Sequence, residues 1–421
     1  MWARRAAVLG DVKKSVWSAA AVVAGALMVA GGTVVRDRVD TGRPATSTLA
    51  LDNLMVSKEQ GREVPEGAYF REMVELLKRE YVDPISDEGK LAAGAVRGMV
   101  QSLTDPDCLF YEANEFRAFR GARAGRYEGI GVDLVLVDDA MVGEKGSADP
   151  MGGMRIPRLV AGAVVPGGPA DLAGVKPGDW VESVDGHWVL NARDIGAFRK
   201  SQRLFVDGKL KQELFRPMQK SIRDKTDHSI LPLKAREKLA VGTSGSVKVV
   251  WNRGAAKRET ALKRAVSKAV AVGSGPSLAL RFLPGADKAL REAIKGRTEV
   301  VLDLRGNAFG DIDVMRQCLE VVAKKGSYGV LVGRDGKPAD PLTVAVGNPA
   351  PPKLKLLVDA TTRDAAEIFA LALSSTGAAT LSGGKTAGDP HVVEAIALPG
   401  GEGYTLVTAT YKRSLPAGGT K

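Results

Sequence analysis

The residues of this chain best placed to do chemistry stand around one strand-to-helix turn. Leu356-Leu357-Val358 reads as a buried strand and Asp359 to Arg363 as a polar turn. Ala365, Ile368, Phe369 and Ala372 then recur at helical spacing. A glycine-rich return follows, Ser382-Gly383-Gly384-Lys385-Thr386-Ala387-Gly388-Asp389. Many α/β enzymes mount a nucleophile on such a turn. This one offers carboxylates instead: Asp364 and Glu367 beside the turn, and Asp389 at the end of the return, with His391 close behind. Two facing carboxylates could share a proton, or with Glu367 or His391 hold a cation. No further ligand spacing accompanies them, so the residues read as an open site where both carboxylates face water, with no metal and no cofactor. Ser374 and Ser375 lie about ten residues along the helix, roughly 15 Å of rise from the turn. Gly384-Lys385-Thr386 is not a phosphate loop, because Ala379 stands where its first glycine is required.

The elements that must position this turn follow a βαβ grammar over residues 266–421. Strands are expected at Leu278 to Phe282, Glu299 to Arg305, Gly329 to Val332, Lys353 to Val358 and Thr405 to Tyr411. Helices are expected at Ala286 to Lys295, Ile312 to Lys324 and Arg363 to Ser374. The alternation predicts a mostly parallel sheet with helices against it. Upstream, Phe70, Met73, Val74, Leu77 and Tyr81 share a helical face that stops at Asp83-Pro84. Helices near Glu88 to Leu103 and Glu112 to Arg120 complete a small helical module over 67–124. Residues 125–265 read as a β domain. Its helix is expected at Ala192 to Leu204, followed by a charged insertion at about 205–239 that reads as a solvated excursion.

Composition bounds the function class. With 421 residues and 44% hydrophobic content the chain is long enough for several domains. Arg4, Arg5, Lys13 and Lys14 precede the uncharged run Val16 to Val35. At about 20 residues that run is long enough to span a bilayer and too long for a signal-peptide core. Residues 1–39 therefore read as a cytoplasmic tip and single-pass anchor in the cytoplasmic membrane, and 40–66 as a linker. The bulk of the chain is then extracytoplasmic, periplasmic or equivalent. Cleavage after Gly31 or Gly32 would leave it in the same compartment. The two cysteines, Cys108 and Cys318, form no CxxC pair or Cys/His cluster, and Cys318 falls in a helical pattern as a buried thiol. The net charge of +11 is scattered and aromatics are only 5%, which argues against nucleic acid.

Two resemblances sharpen the reading. Tyr127-Glu128-Gly129-Ile130-Gly131-Val132-Asp133-Leu134, with the run Val164 to Val181 and Val184-Asp185-Gly186, resembles a PDZ domain. The resemblance implies that Gly129, Ile130, Gly131 and Val132 hold a peptide's terminal carboxylate on backbone N–H groups, beside a strand edge that accepts the peptide, and that the helix at Ala192 to Leu204 lines the groove. Tyr81-Val82-Asp83-Pro84, Ala95 to Leu103, Asp105-Pro106, Glu115-Phe116 and Asp303-Leu304-Arg305 resemble the carboxyl-terminal processing peptidases, also called tail-specific proteases. The likeness runs from about residue 69 to residue 418. That family uses a serine in Ser-Ala-Ser-Glu and a lysine in a later Phe-Gly-Lys-Gly as nucleophile and base. Aligned through Leu357-Val358, Ala366-Glu367-Ile368 and Gly383 to Gly388, those positions fall on Asp364 and Asp389, while Thr362 and Glu367 keep the pattern. The family's Arg-Asn-Asn-Pro-Gly-Gly turn is here Arg305-Gly306-Asn307-Ala308-Phe309-Gly310. Phe309 for glycine calls the close backbone approach of an oxyanion hole into question.

The expectation is an α+β multidomain protein: an N-terminal transmembrane helix, a helical module, a PDZ-like domain and an α/β peptidase-like domain. As a pseudopeptidase it would bind C-terminal segments of proteins as scaffold or regulator, alone or with an active homologous peptidase. The alternative is an active serine-type endopeptidase that cuts near substrate C-termini.

Overall fold

The computed structural model describes residues 66–137, 141–142, 154–334, 336 and 338–413. The expected anchor and all but the last residue of the expected linker lie outside the described residues. Among the described residues no helix is long and apolar enough to cross a membrane.

The chain divides into two compact units at Leu103/Thr104. Helices α1 (Glu66–Glu80) and α2 (Glu88–Ser102) belong to the smaller one. The Asp87 side chain caps α2 by accepting the Gly89 N–H at 3.0 Å. Helix α3 (Ala113–Arg123) belongs to the larger unit, although the sequence groups it with α1 and α2. Its Phe116 and Phe119 pack on Tyr111, and strand Phe110–Tyr111 pairs with Gly403–Lys412 near the chain's end.

The PDZ region begins with β1 (Val132–Val137) and β2 (Arg158–Val164), followed by the short helix α4 (Pro169–Leu172) and β3 (Trp180–Val184). Pro169 at the start of α4 suits a first-turn position whose N–H has no helical partner. Two helices follow, α5 (Ala192–Val206) and α6 (Gln212–Asp227), then α7 (Pro232–Ala240), β4 (Ser246–Arg253) and β5 (Ala256–Lys263). The strands run β5-β4-β3-β2-β1, each pair antiparallel.

The helix facing β1 is α7, not the expected one at 192–204. Ala235 and Leu239 join Ile130, Val132, Leu134 and Leu136 in one buried cluster. Helix α5 instead stacks Phe198 and Phe205 on Phe215 of α6, with centroids 6.0 and 4.5 Å apart. The excursion is therefore the α5–α6 pair, earlier than the expected 205–239, because α5 satisfies its apolar face within that pair.

The peptidase region opens with β6 (Ser277–Ala279), α8 (Ala286–Ile294), β7 (Glu299–Asp303) and α9 (Ile312–Val322). It continues with β8 (Lys353–Val358), α10 (Asp364–Ser375) and β9 (Ala379–Gly383). These strands form the parallel sheet β6-β7-β8-β9. Strands Lys324–Val332 and Gly403–Lys412 do not extend it, contrary to the expected single sheet. They pair antiparallel with each other, and with Pro338–Gly347 and His391–Ala397, in a second sheet. The links from 332 to 338 and from 397 to 403 are too short for the crossover a parallel neighbour needs. Helix α10 is buried nearly all round, with Phe369 on Phe282 at 5.2 Å, as a helix inside a large core should be.

Candidate active site and peptide groove

The turn after β8 is held by its own polar side chains. Asp359 accepts the Thr361 N–H at 2.9 Å, and Thr362 Oγ1 accepts the Asp359 N–H at 3.1 Å and donates to Leu304 O at 3.2 Å. These bonds clamp the turn onto the end of β7. The chain then enters α10 through Asp364, whose φ of +52° is left-handed. Such a backbone costs about 1–3 kcal/mol for a non-glycine residue and marks the nucleophile elbow of α/β enzymes. The elbow is present, and its side chain is a carboxylate.

Asp364 does not face water as expected, for it is only 5% exposed. Its Oδ2 accepts the Gly310 N–H at 3.3 Å. Burial pushes its pKa up to about 7, opposed by the Arg123 charge and the Gly310 N–H and reinforced by nearby Asp107. Arg123 is itself tied down, its Nη2 donating to Gly310 O at 3.0 Å. The turn at 305–310 therefore still aims one N–H at the side chain of residue 364, where an oxyanion donor is needed. Phe309 does not block that approach. Its ring points away and meets Phe119 edge-on at 5.4 Å.

Asp389 is differently placed, with a side chain 47% exposed. Its loop is fixed by Glu367, 1% exposed, whose Oε1 and Oε2 accept the Gly388 and Asp389 N–H groups at 2.8 and 3.1 Å. Glu367 thus positions residue 389 against α10. Asp389 Oδ2 lies 3.9 Å from Arg363 Nη2, which also pairs with Asp107 at 3.0 Å. Asp107 in turn lies 3.7 Å from His391 Nδ1. The Asp107 side-chain pair with His391 raises the histidine's pKa against burial. Burial would raise the Asp107 pKa, but His391 and Arg363 together hold it low. No hydrogen bond between Asp364 and Asp389 is found among the described residues. The Asp107–Arg363–His391 cluster was missed by sequence reasoning. Its sequence signals were the adjacency of Arg363 to the elbow, His391 two residues after Asp389, and the Asp105-Pro106 pattern.

The alternative serines on α10 are bonded within their own helix. Ser374 and Ser375 donate to Leu371 O and Ala372 O of their own helix, and Lys385 is exposed. Among the described residues no His/Cys/Asp/Glu group could hold a metal ion. Cys108 and Cys318 are both buried free thiols.

The peptide loop has the expected shape and an unexpected hydrogen-bond pattern. Gly129 and Gly131 adopt φ of +71° and +72°. The Gly129 and Ile130 N–H groups donate to Gly242 O at 2.8 Å and Leu239 O at 3.1 Å. Two donors expected to meet a ligand carboxylate are thus satisfied by the end of α7. Val132 pairs with Val164 and starts β1. Between β1 and α7 lies a cavity of about 50 Å³, covered by α3.

The geometry defines a class: a PDZ domain joined to a serine-peptidase-like α/β domain. Residues 283–417 match the model of peptidase family S41, and residues 160–199 match that of a PDZ domain. The carboxy-terminal processing protease CtpB of Bacillus subtilis is 25% identical over 413 residues, covering 94% of this chain and 74% of that protein. The same organism's carboxy-terminal processing protease CtpA is 27% identical over 350 residues, covering 80% of this chain and 63% of that protein. The photosystem II D1 C-terminal processing protease structure shares the fold, with TM-score 0.55, 19% identity and coverage of 88% and 89% of the two chains. The chain is thus a homologue of the carboxy-terminal processing proteases, with S41 and PDZ domains.

Proposed function

We propose that this chain is a non-catalytic member of that group, a pseudopeptidase that binds protein C-termini through its PDZ domain as scaffold or regulator. It does so anchored in the cytoplasmic membrane with its bulk outside, alone or beside an active homologous peptidase. One observation carries the reading: the left-handed elbow residue that should present a hydroxyl is the buried carboxylate Asp364. An aspartate that accepts the Gly310 N–H has no alcohol hydroxyl to add to a peptide carbonyl, and no amine stands at Asp389 to act as a base. The test is incubation of the full chain with an unstructured, C-terminally tagged protein. No cleavage is expected. Cleavage that disappears on Ser374→Ala or Lys385→Ala would overturn the pseudopeptidase reading in favour of an active endopeptidase.

A further inference from the structure

The cavity between β1 and α7 is lined by Val132 and Leu134 of β1, Arg236 and Ala240 of α7, and Glu115 and Phe119 of α3. At about 50 Å³ it has room for water and none for a peptide strand, since ligand pockets run to several hundred Å³. One buried cation lies on this floor. Arg236 is 4% exposed, its Nε donates to Glu115 Oε1 at 2.8 Å, and its guanidinium sits 4.5 Å from the Tyr111 ring centroid. A buried cation stays charged only with a partner, and the partner here is a carboxylate carried in by a neighbouring helix. A second observation points to a missing ligand. Glu128 also lines the cavity; its Oε1 accepts from Arg117 and Arg126 at 2.6 and 2.7 Å, and its buried Oε2 has no partner among the described residues. An unpaired acceptor beside a strand edge suits the N–H of an added peptide.

We propose that Arg236 is the residue that reads the terminal carboxylate of a bound peptide, and that Glu115 of α3 occupies that seat until a peptide displaces it. This rests on the peptide-binding reading above and specifies it. The loop N–H groups of Gly129 and Ile130 are already bonded to Gly242 O and Leu239 O, so two of the loop's donors are taken, and Arg236, which shares a cavity with Val132 of that loop, can meet the charge of an incoming C-terminus. Arg236 meets it with a charge-assisted pair, and exchange of Glu115 for the peptide's carboxylate keeps the buried cation paired throughout. The apolar walls Val132, Leu134 and Ala240 favour an apolar terminal residue. Because α3 also carries Arg123, which bonds Gly310 O, displacement of α3 would reach the elbow as well.

The test uses the full chain in detergent against a pool of random peptides, one set ending in carboxylate and one in carboxamide. Glu115→Gln is expected to tighten retention of carboxylate peptides about tenfold or more, because a groove no longer self-occupied is competent more of the time. Glu115→Gln/Arg236→Gln should lose the preference for carboxylate over carboxamide, and Glu115→Gln/Arg236→Lys, which keeps a cation, should retain it. If the Gln/Gln double variant keeps the preference, Arg236 is not the reader and the proposal fails, while peptide binding as such stands. If neither the parent nor Glu115→Gln retains any peptide, the proposal and the peptide-binding reading fail together. Should Gln/Gln unfold, the Lys variant decides: loss of the preference in a folded protein that still retains peptides overturns the proposal.

Discussion

Replacing Asp364 by Asn tests whether the elbow carboxylate is buried as the structure places it. An aspartate whose value rises from 3.8 to about 7 on folding binds its proton more tightly in the folded state. The folded protein therefore holds more protons than the unfolded chain between roughly pH 4 and 7, and this group makes stability fall as pH rises through that window. At about 1.4 kcal/mol per pH unit, the penalty from Asp364 grows by ~2–3 kcal/mol between pH 5 and pH 8. An asparagine in its place keeps the size of the side chain and does not titrate. The other groups titrate in both proteins and cancel in the difference. Asp364→Asn should thus gain ~2–3 kcal/mol on the parent as pH rises from 5 to 8. Urea unfolding followed by far-ultraviolet circular dichroism measures this. Tryptophan fluorescence would not serve, because the described tryptophans, Trp180, Trp188 and Trp251, all lie in the PDZ region. A difference that stays constant across the pH range would refute the buried placement of Asp364.

Two further substitutions probe the supports of the two sites. Glu367→Leu removes the acceptor of the Gly388 and Asp389 N–H groups inside a packed environment. Hydrogen bonds to a charged acceptor are worth roughly 1.5–3 kcal/mol each, so thermal unfolding should drop by several degrees, and little change would show the loop is not held by Glu367. Gly129→Ala would put a Cβ 2.0 Å from Leu239 O at a left-handed backbone position. A loss of ~2 kcal/mol or more is expected in the tryptophan-monitored unfolding of the PDZ region, and an unchanged midpoint would contradict the close packing of α7 on the loop.

Local pattern carried much of this fold. The runs Glu299 to Asp303 and Lys353 to Val358 announce buried parallel strands, and the order of Pro169, Gly174 and Pro177-Gly178 fixes the PDZ helix and turn. The groove helix was misplaced because Pro232–Ala240 is only nine residues long and charge-rich, whereas Ala192–Val206 has the length and period of a groove helix. The second sheet escaped notice because pairing partners such as Phe110 and Tyr404 are set by tertiary packing, not by local period. The burial of Asp364 was invisible for the same reason. Its N–H donor, Gly310, lies 54 positions away, and the Arg123 that braces Gly310 is 187 positions from it.

Those long-range partners also explain why the elbow accommodates an aspartate. Gly310 cannot bear a side chain, since a Cβ there would sit 2.9 Å from the Ala365 Cβ, so its backbone N–H stays pressed toward residue 364. A buried N–H of this kind needs an acceptor, and an apolar residue at 364 would leave it unsatisfied. The same position requires a left-handed backbone, which short polar side chains tolerate better than larger or branched ones. Aspartate meets both conditions at once. It keeps the turn and its donor in place, so Asp364 serves as a structural joint between the parallel sheet, α10 and, through Gly310 and Arg123, α3.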